Sequence, residues 1–287
     1  MGVANEHSIA WGIAEAFRRE GARLAFSYAV DSMERRVRPL GESIGAAYIG
    51  PCDVREDEQL DAFFEEASAA LGRIDTVVHA IAFSNKDDLR RPVHEVSRAG
   101  YLEAIDISAY SLIGVAQAAL PYMGTGSNLL TITYMGAEKV VPGYGLMGPV
   151  KADLEAIARY LAASLGAYGI RVNAISAGPV RTLAARGIPR FGGLLDVAAT
   201  ASPLGCNVST QCIGDVAACL CSPMFCSVTG EVIHVDCGFH IMGVPAQLEA
   251  WKEAGRAEAL KEQEERASGV QSEAERGGLA SHRLLRV

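Results

Sequence analysis

The chain has 287 residues, 49% apolar and 21% charged, which suits one large globular α/β domain with a well-buried core. Its formal net charge of −8 excludes the basic face that a nucleic-acid binder needs, so no such partner is expected. No apolar run reads as long enough to cross a bilayer, and no basic-then-apolar leader opens the chain, so the expected location is the cytoplasm, away from any membrane.

The first stretch, MGVANEHSIAWGIA, has the form of a glycine turn leading into a helix. Helix N-termini offer unpaired N–H groups and a positive dipole end to pyrophosphate; Gly2 would let the backbone turn closely, and Ser8 would cap the helix and reach a phosphate. A capped helix with an incidental glycine explains the same residues equally well. Such a turn normally follows a buried strand, and here only Met1 precedes it.

ARLAFSY, near Leu24, is the first strand candidate. AVDSMERRVRPL follows it without an acidic residue directly at the strand end, and its arginines either meet a 2′-phosphate or are solvated charge. The next candidate, AAYIGPCDV, ends in CDVRED. There Asp53 and Val54 either hold an adenine ring or Asp53 caps the helix EDEQLDAFFEEASAALG. IDTVVHAIAF is a third strand, and LIGVAQAALPYM a helix after it.

NLLTITY, near Leu130, runs into the most informative segment, TYMGAEKVVPGYGLMGPVK. Tyr134 ends an apolar strand, where side chains reach a ligand crevice. Tyr144 and Lys151 stand seven apart at the start of the helix KADLEAIARYLAASLG, which would put them on one face. A phenol beside an ammonium has its ionised form favoured, and can hydrogen-bond a developing oxyanion. Surface Tyr and Lys on an ordinary helix is the bland alternative.

Two more strands, IRVNAISAG and GEVIHVDCG, complete the series. Most strands are continuously apolar, as parallel strands covered on both faces should be, and their alternation with helices implies a doubly wound sheet. The seven cysteines are an odd number and no disulfide framework. Cys219 and Cys221 in DVAACLCSP are too close for a zinc pair; they read as small core residues on a helix, and no metal is expected. After Gly243 the composition shifts. The expected domains are 1–243 and an extension, 244–287, that is helical at first and then a loose tail.

Tyr-x6-Lys with a second Tyr upstream, together with VVHAIAF, DISAYS, RVNAISAGPVRTLA and the words SPLG and NVS, closely resembles the enoyl-acyl-carrier-protein reductases of the bacterial FabI type. These are a branch of the short-chain dehydrogenase/reductase superfamily, and the resemblance covers about residues 1–243. It implies a Rossmann-like doubly wound parallel sheet with helices on both faces, a cytoplasmic homotetramer, and hydride transfer from NADH (NADPH being the alternative) to a trans-2-enoyl thioester on acyl carrier protein. Carried over residue by residue, Gly2, Ser8 and Ile9 would line the pyrophosphate and nicotinamide side, Asp53 and Val54 the adenine, and Ala80 and Ile81 the ribose. Lys151 would bond the nicotinamide ribose, and Val180 and Thr182 the carboxamide. Tyr144 would bond the thioester oxygen. Tyr134, Ala82, Met147 and Phe191 would line the acyl pocket beneath a helix formed by LAARGIPRFGGLL.

Four features depart from that pattern. The strand before the glycine turn is missing, so Met1 reads as an internal start and the chain as poorly stable. Pro149 falls between Tyr144 and Lys151. The lid keeps Arg186 and Arg190 beside Pro189, Gly192 and Gly193, fewer basic residues than an acidic carrier protein would meet in relatives. Cys237 stands where a small residue is usual, a change expected to be harmless. The competing readings are an inactive truncated relative and a short-chain carbonyl or alcohol dehydrogenase.

Overall fold

The computed structural model describes residues 1–188, 191–243 and 260. The chain divides into Met1–Met242 and Gly243–Val287; the fold below is that of the first unit, and the expected helical-then-loose extension lies outside the described residues. Each strand candidate becomes a strand: β1 (Ala25–Tyr28), β2 (Tyr48–Pro51), β3 (Thr76–His79), β4 (Asn128–Thr133), β5 (Arg171–Ala177) and β6 (Val232–Val235). All pairings are parallel. β1 pairs with β2, and β3, β4, β5 and β6 form a second sheet in that order.

Side-chain alternation shows both faces covered. Leu129 and Val172 join a core with Phe63, Leu112, Val115 and Leu154, whereas Leu130 and Ile175 join Ile13, Ile213 and Leu220 on the other side. The first layer is built by α3 (Asp57–Leu71), α6 (Ser111–Ala119) and α7 (Met147–Leu165), the second by α1 (Ile9–Arg19) and α9 (Thr210–Cys221). Between β3 and β1 lies the start of the chain. The Met1 ammonium donates to the Val78 carbonyl at 2.8 Å, and the Ala80 N–H donates to the Met1 carbonyl at 3.3 Å. Among the described residues no assigned strand links the two sheets, and β1 forms its ladder with β2 alone.

Two expectations change here. The helical run Arg98–Tyr122, with mean hydropathy 1.2, is long and apolar enough to span a membrane, and 56% of that window is buried within the protein. It is assembled from α5 (Arg98–Ile105), a π-turn at Asp106–Tyr110 and α6. Its apolarity serves the core, where Leu112, Val115 and Ala119 are fully buried. Cys219 is exposed while Cys221 is half-buried. Residues two apart on a helix point about 200° from one another, so only one of the pair can face the core.

Candidate active site

The ends of β3, β4 and β5 open on one side of the larger sheet, where ligands bind in doubly wound folds. They border a cavity of about 640 Å³. β3 contributes Ala80, Ile81 and Ala82 from the segment that follows it. Thr133 and Tyr134 come from the end of β4, and Ala177 through Val180 from the end of β5. Gly2, Ser8 and Ile9 at the start of α1 and Tyr144, Met147 and Lys151 complete the inner wall. Thr182, Leu183, Ile188 and, from α8 (Phe191–Ala201), Phe191 and Leu194 close the outer side.

The glycine turn is tight. Gly2 has φ 98°, and a Cβ there would lie 2.1 Å from the Ala80 carbonyl oxygen. Only bare backbone fits between β3 and the cavity. Ser8 sits at the helix N-cap, but its hydroxyl accepts from Ala4 N–H (3.0 Å) and Asn5 N–H (3.1 Å) rather than from the helix. The expected cap is therefore a brace for the turn, because the preceding loop supplies nearer donors.

Tyr144 does not lie on the helix with Lys151. α7 begins at Met147, and Tyr144 occupies the preceding turn, donating its N–H to Val141 and accepting from Met147 N–H, each at 3.1 Å. The positive φ of Gly143 (86°) and Gly145 (48°) keeps the chain out of the helix until past the tyrosine. Pro149 is the third residue of α7, where its missing N–H has no intrahelical partner to lose.

The electrostatics also differ from the expectation of an ionised phenol. Burial pushes the Tyr144 hydroxyl well above its ordinary value, with Tyr134 and Glu155 adding to the effect. Tyr134 is raised too, chiefly by burial. Tyr144 is thus a neutral hydrogen-bond donor, 8% exposed, with its ring edge-on to Tyr134 at 4.8 Å between centroids. The Tyr134 hydroxyl is buried and has no partner among the described residues. Lys151, 5% exposed, is pulled down to about 8 by burial, and its ammonium donates to the Ile132 carbonyl at 2.7 Å. Two of its three protons remain for a ligand.

Asp53 and Val54 lie outside this cavity. Asp53 is tied to Arg55 (Oδ2 to guanidinium 2.5 Å), which holds its carboxyl below the usual range, and its N–H donates to Gln59. It does not cap α3 either, since Glu56 holds that position. The lid is a short turn, Ala184–Gly187, followed by α8 rather than one helix. Pro189 and Arg190 lie outside the described residues, as does the Arg186 side chain.

Sequence reasoning missed three buried supports. Glu155, one turn beyond Lys151, accepts from the Thr133 hydroxyl at 2.7 Å, and burial raises its carboxyl. The i,i+4 spacing from Lys151 was the available signal. His79 is fully buried, held down to about 3 by desolvation with Lys151 contributing, and bridges Thr131 (3.0 Å) and Ser111 (2.8 Å). Ser108 in the π-turn braces Phe83 through both its N–H (2.9 Å) and its carbonyl (3.0 Å). Nothing in the strand pattern around His79 or in DISAYS announces those partners, which are 25 to 52 residues away in sequence.

The family model described as Enoyl-(Acyl carrier protein) reductase matches residues 2–240. The chain is 48% identical over 245 residues to the enoyl-[acyl-carrier-protein] reductase [NADH] FabI of Bacillus cereus, covering 85% of this chain and 96% of that one. Among solved structures, the enoyl-[acyl-carrier-protein] reductase (NADH) of Aquifex aeolicus superposes with a TM-score of 0.82 at 45% identity, covering 85% of this chain and 95% of the other. The Anaplasma phagocytophilum reductase in complex with NAD gives 0.81 at 46%, covering 85% and 93%.

Proposed function

This chain belongs to the enoyl-(acyl carrier protein) reductase family, and from that premise we propose that the Tyr144–Lys151 cavity is where it works. The reaction is the NADH-dependent reduction of trans-2-enoyl-acyl-carrier-protein thioesters in fatty acid biosynthesis. The observation that carries the site assignment is that the neutral Tyr144 donor and the buried Lys151 ammonium line one cavity whose walls are otherwise mostly apolar.

The cavity fits the nicotinamide half of a dinucleotide. Its floor is backbone at Gly2, an ammonium at Lys151 has protons to spare, and the buried Tyr134 hydroxyl has no partner among the described residues and can take one from a ligand. Gly2, Ser8 and Ile9 would border the pyrophosphate, Ala80 and Ile81 the ribose, and Val180 and Thr182 the carboxamide, with Lys151 on the nicotinamide ribose. Asp53 and Val54 would meet the adenine beyond the cavity. Bound there, NADH supplies the hydride to the β-carbon. The relatives named as NADH enzymes support NADH over a 2′-phosphorylated cofactor; of the arginines in α2 (Asp31–Ser43), Arg38 is paired with Glu34 at 2.6 Å.

Negative charge then gathers on the thioester oxygen, where Tyr144 donates a hydrogen bond that strengthens as the charge grows. Keeping the phenol neutral in the ground state preserves this donor for the transition state. Tyr134, Ala82, Met147 and Phe191 would hold the acyl chain. We place the enzyme in the cytoplasm as a homotetramer, with no nucleic-acid or membrane partner. NADH oxidation followed by absorbance with a trans-2-enoyl thioester tests the reading. Turnover is expected; oxidation only with a 3-keto thioester would overturn it.

A further inference from the structure

We propose that Cys206 and Cys237 are an oxidisable dithiol, closed to a disulfide by a small-molecule disulfide such as oxidised glutathione. This goes beyond the reductase reading and does not depend on it. The two residues are 31 apart in sequence, yet the Cys206 thiol donates to the Cys237 sulfur at 3.7 Å. Cys206 is exposed in the turn after α8, and Cys237 is half-buried just after β6. Two hydrogen bonds hold the segments in place: the Ser202 hydroxyl donates to the Cys206 carbonyl at 2.9 Å, and Leu204 N–H to the Cys237 carbonyl at 3.4 Å. Rotation about the side-chain bonds is then the main movement required for closure.

Cys237 has a second peculiarity. Its φ of 59° makes it the only non-glycine with positive φ among the described residues. A residue with a side chain adopts that conformation at a cost, so the substitution expected to be harmless is strained. The same backbone presents its sulfur to Cys206.

The chemistry balances without any further reactant. The Cys206 thiolate attacks one sulfur of the oxidant, breaking its S–S bond, forming a mixed disulfide and releasing one small thiolate. The Cys237 thiolate attacks the Cys206 sulfur, forming the protein disulfide and releasing the second small thiolate. The two protons lost by the cysteines end on the two released thiols, and the oxidant is reduced by two electrons. Burial, with the neighbouring Cys206, pushes the Cys237 thiol up to about 11, so the exposed Cys206 meets the oxidant first and the second step relies on the short sulfur–sulfur distance to offset the small thiolate fraction of Cys237. The bond would tether the turn that anchors α8, where Asn207 donates to the Leu195 carbonyl at 3.0 Å.

The test is to reduce the full chain, remove the reductant, incubate with oxidised glutathione, alkylate and map the peptides without reduction. The expected result is a loss of two free thiols from seven, a cross-linked peptide joining Cys206 to Cys237, and full reversal by dithiothreitol. The variant Cys237→Gly suits the left-handed backbone and retains the fold; it should stop at a persistent glutathione adduct on Cys206. Two results would overturn the proposal. One is a cross-link from Cys206 to Cys212, whose sulfur accepts from Ser209 nearby; the other is both cysteines remaining alkylatable to the same extent as exposed Cys219 and Cys226.

Discussion

The Tyr144 hydroxyl acts by staying protonated, and that makes its removal specific. Tyr144→Phe keeps the ring packed against Tyr134 while deleting the donor. A single oxyanion donor is typically worth ~10²–10³ in rate, so kcat should fall by about that factor with the thioester KM little changed. Steady-state kinetics would show the split, and a large rise in KM with kcat intact would mean that Tyr144 only binds. Lys151 gives a pH prediction. Its folded value, about 8, lies below the ordinary 10.5, so between those pH values the unfolded chain holds a proton that the folded one has lost. Stability attributable to this group therefore rises with pH through that window and is lacking below about pH 8; the gap corresponds to ~3 kcal/mol. Denaturant melts at pH 8 and pH 10 should show Lys151→Met gaining more over the native chain at the lower pH. That variant should also bind NADH poorly. The motif named both residues, but the shared helix face expected from their spacing did not form, and their protonation was not legible, because burial is set by β4 and by Tyr134 and not by the seven-residue interval between them.

At the scale of elements, the placement of α7 depends on where it starts. Pro149 in its first turn deletes no intrahelical hydrogen bond, so Pro149→Ala should change kcat by less than about twofold and shift the melting midpoint only slightly. A marked loss of activity would show that the proline sets the Tyr144 turn. The crossing of α1 and α9 is less forgiving. A Cβ on Gly12 would stand 2.4 Å from the Thr210 carbonyl oxygen, and one on Gly214 would stand 2.2 Å from the Gly12 carbonyl oxygen. Alanine has the better helix propensity by about 1 kcal/mol, yet forcing two backbones apart typically costs ~1–3 kcal/mol. Gly12→Ala should therefore lower stability, which thermal melts would detect, and with it the hold on the turn that borders the cavity. Unchanged melting would mean that the helices separate freely. Helix positions were readable from apolar periodicity. Their contact was not, since a glycine that permits close approach looks in sequence like a glycine that merely weakens a helix.

The described residues of the first unit form two parallel sheets covered by helices, and their six strands were each readable as apolar runs, because burial on both faces removes the polar alternation that would blur them. Their grouping into two sheets was not readable, since pairing order depends on crossovers and leaves no local mark in the sequence. It has a consequence for the distribution of stability. β5 is buried along its whole length and pairs on both sides, with β4 and β6, whereas β1 pairs only with β2. The β1 side draws on its own smaller core, with Trp11, Phe26, Tyr28 and Val37. Local opening is easiest where fewer hydrogen bonds and less buried apolar surface must be broken together. Amides of Phe26, Ser27 and Ile49 should therefore exchange with solvent well before those of Leu130, Asn173 and Ile175 under native conditions. Hydrogen exchange read by mass spectrometry would resolve the two sheets. NADH should slow exchange on both sides if its adenine rests near Asp53 while its nicotinamide lies against Lys151, because one ligand would then span the break. Protection confined to the larger sheet would place the whole cofactor within the Lys151 cavity and remove Asp53 and Val54 from its site.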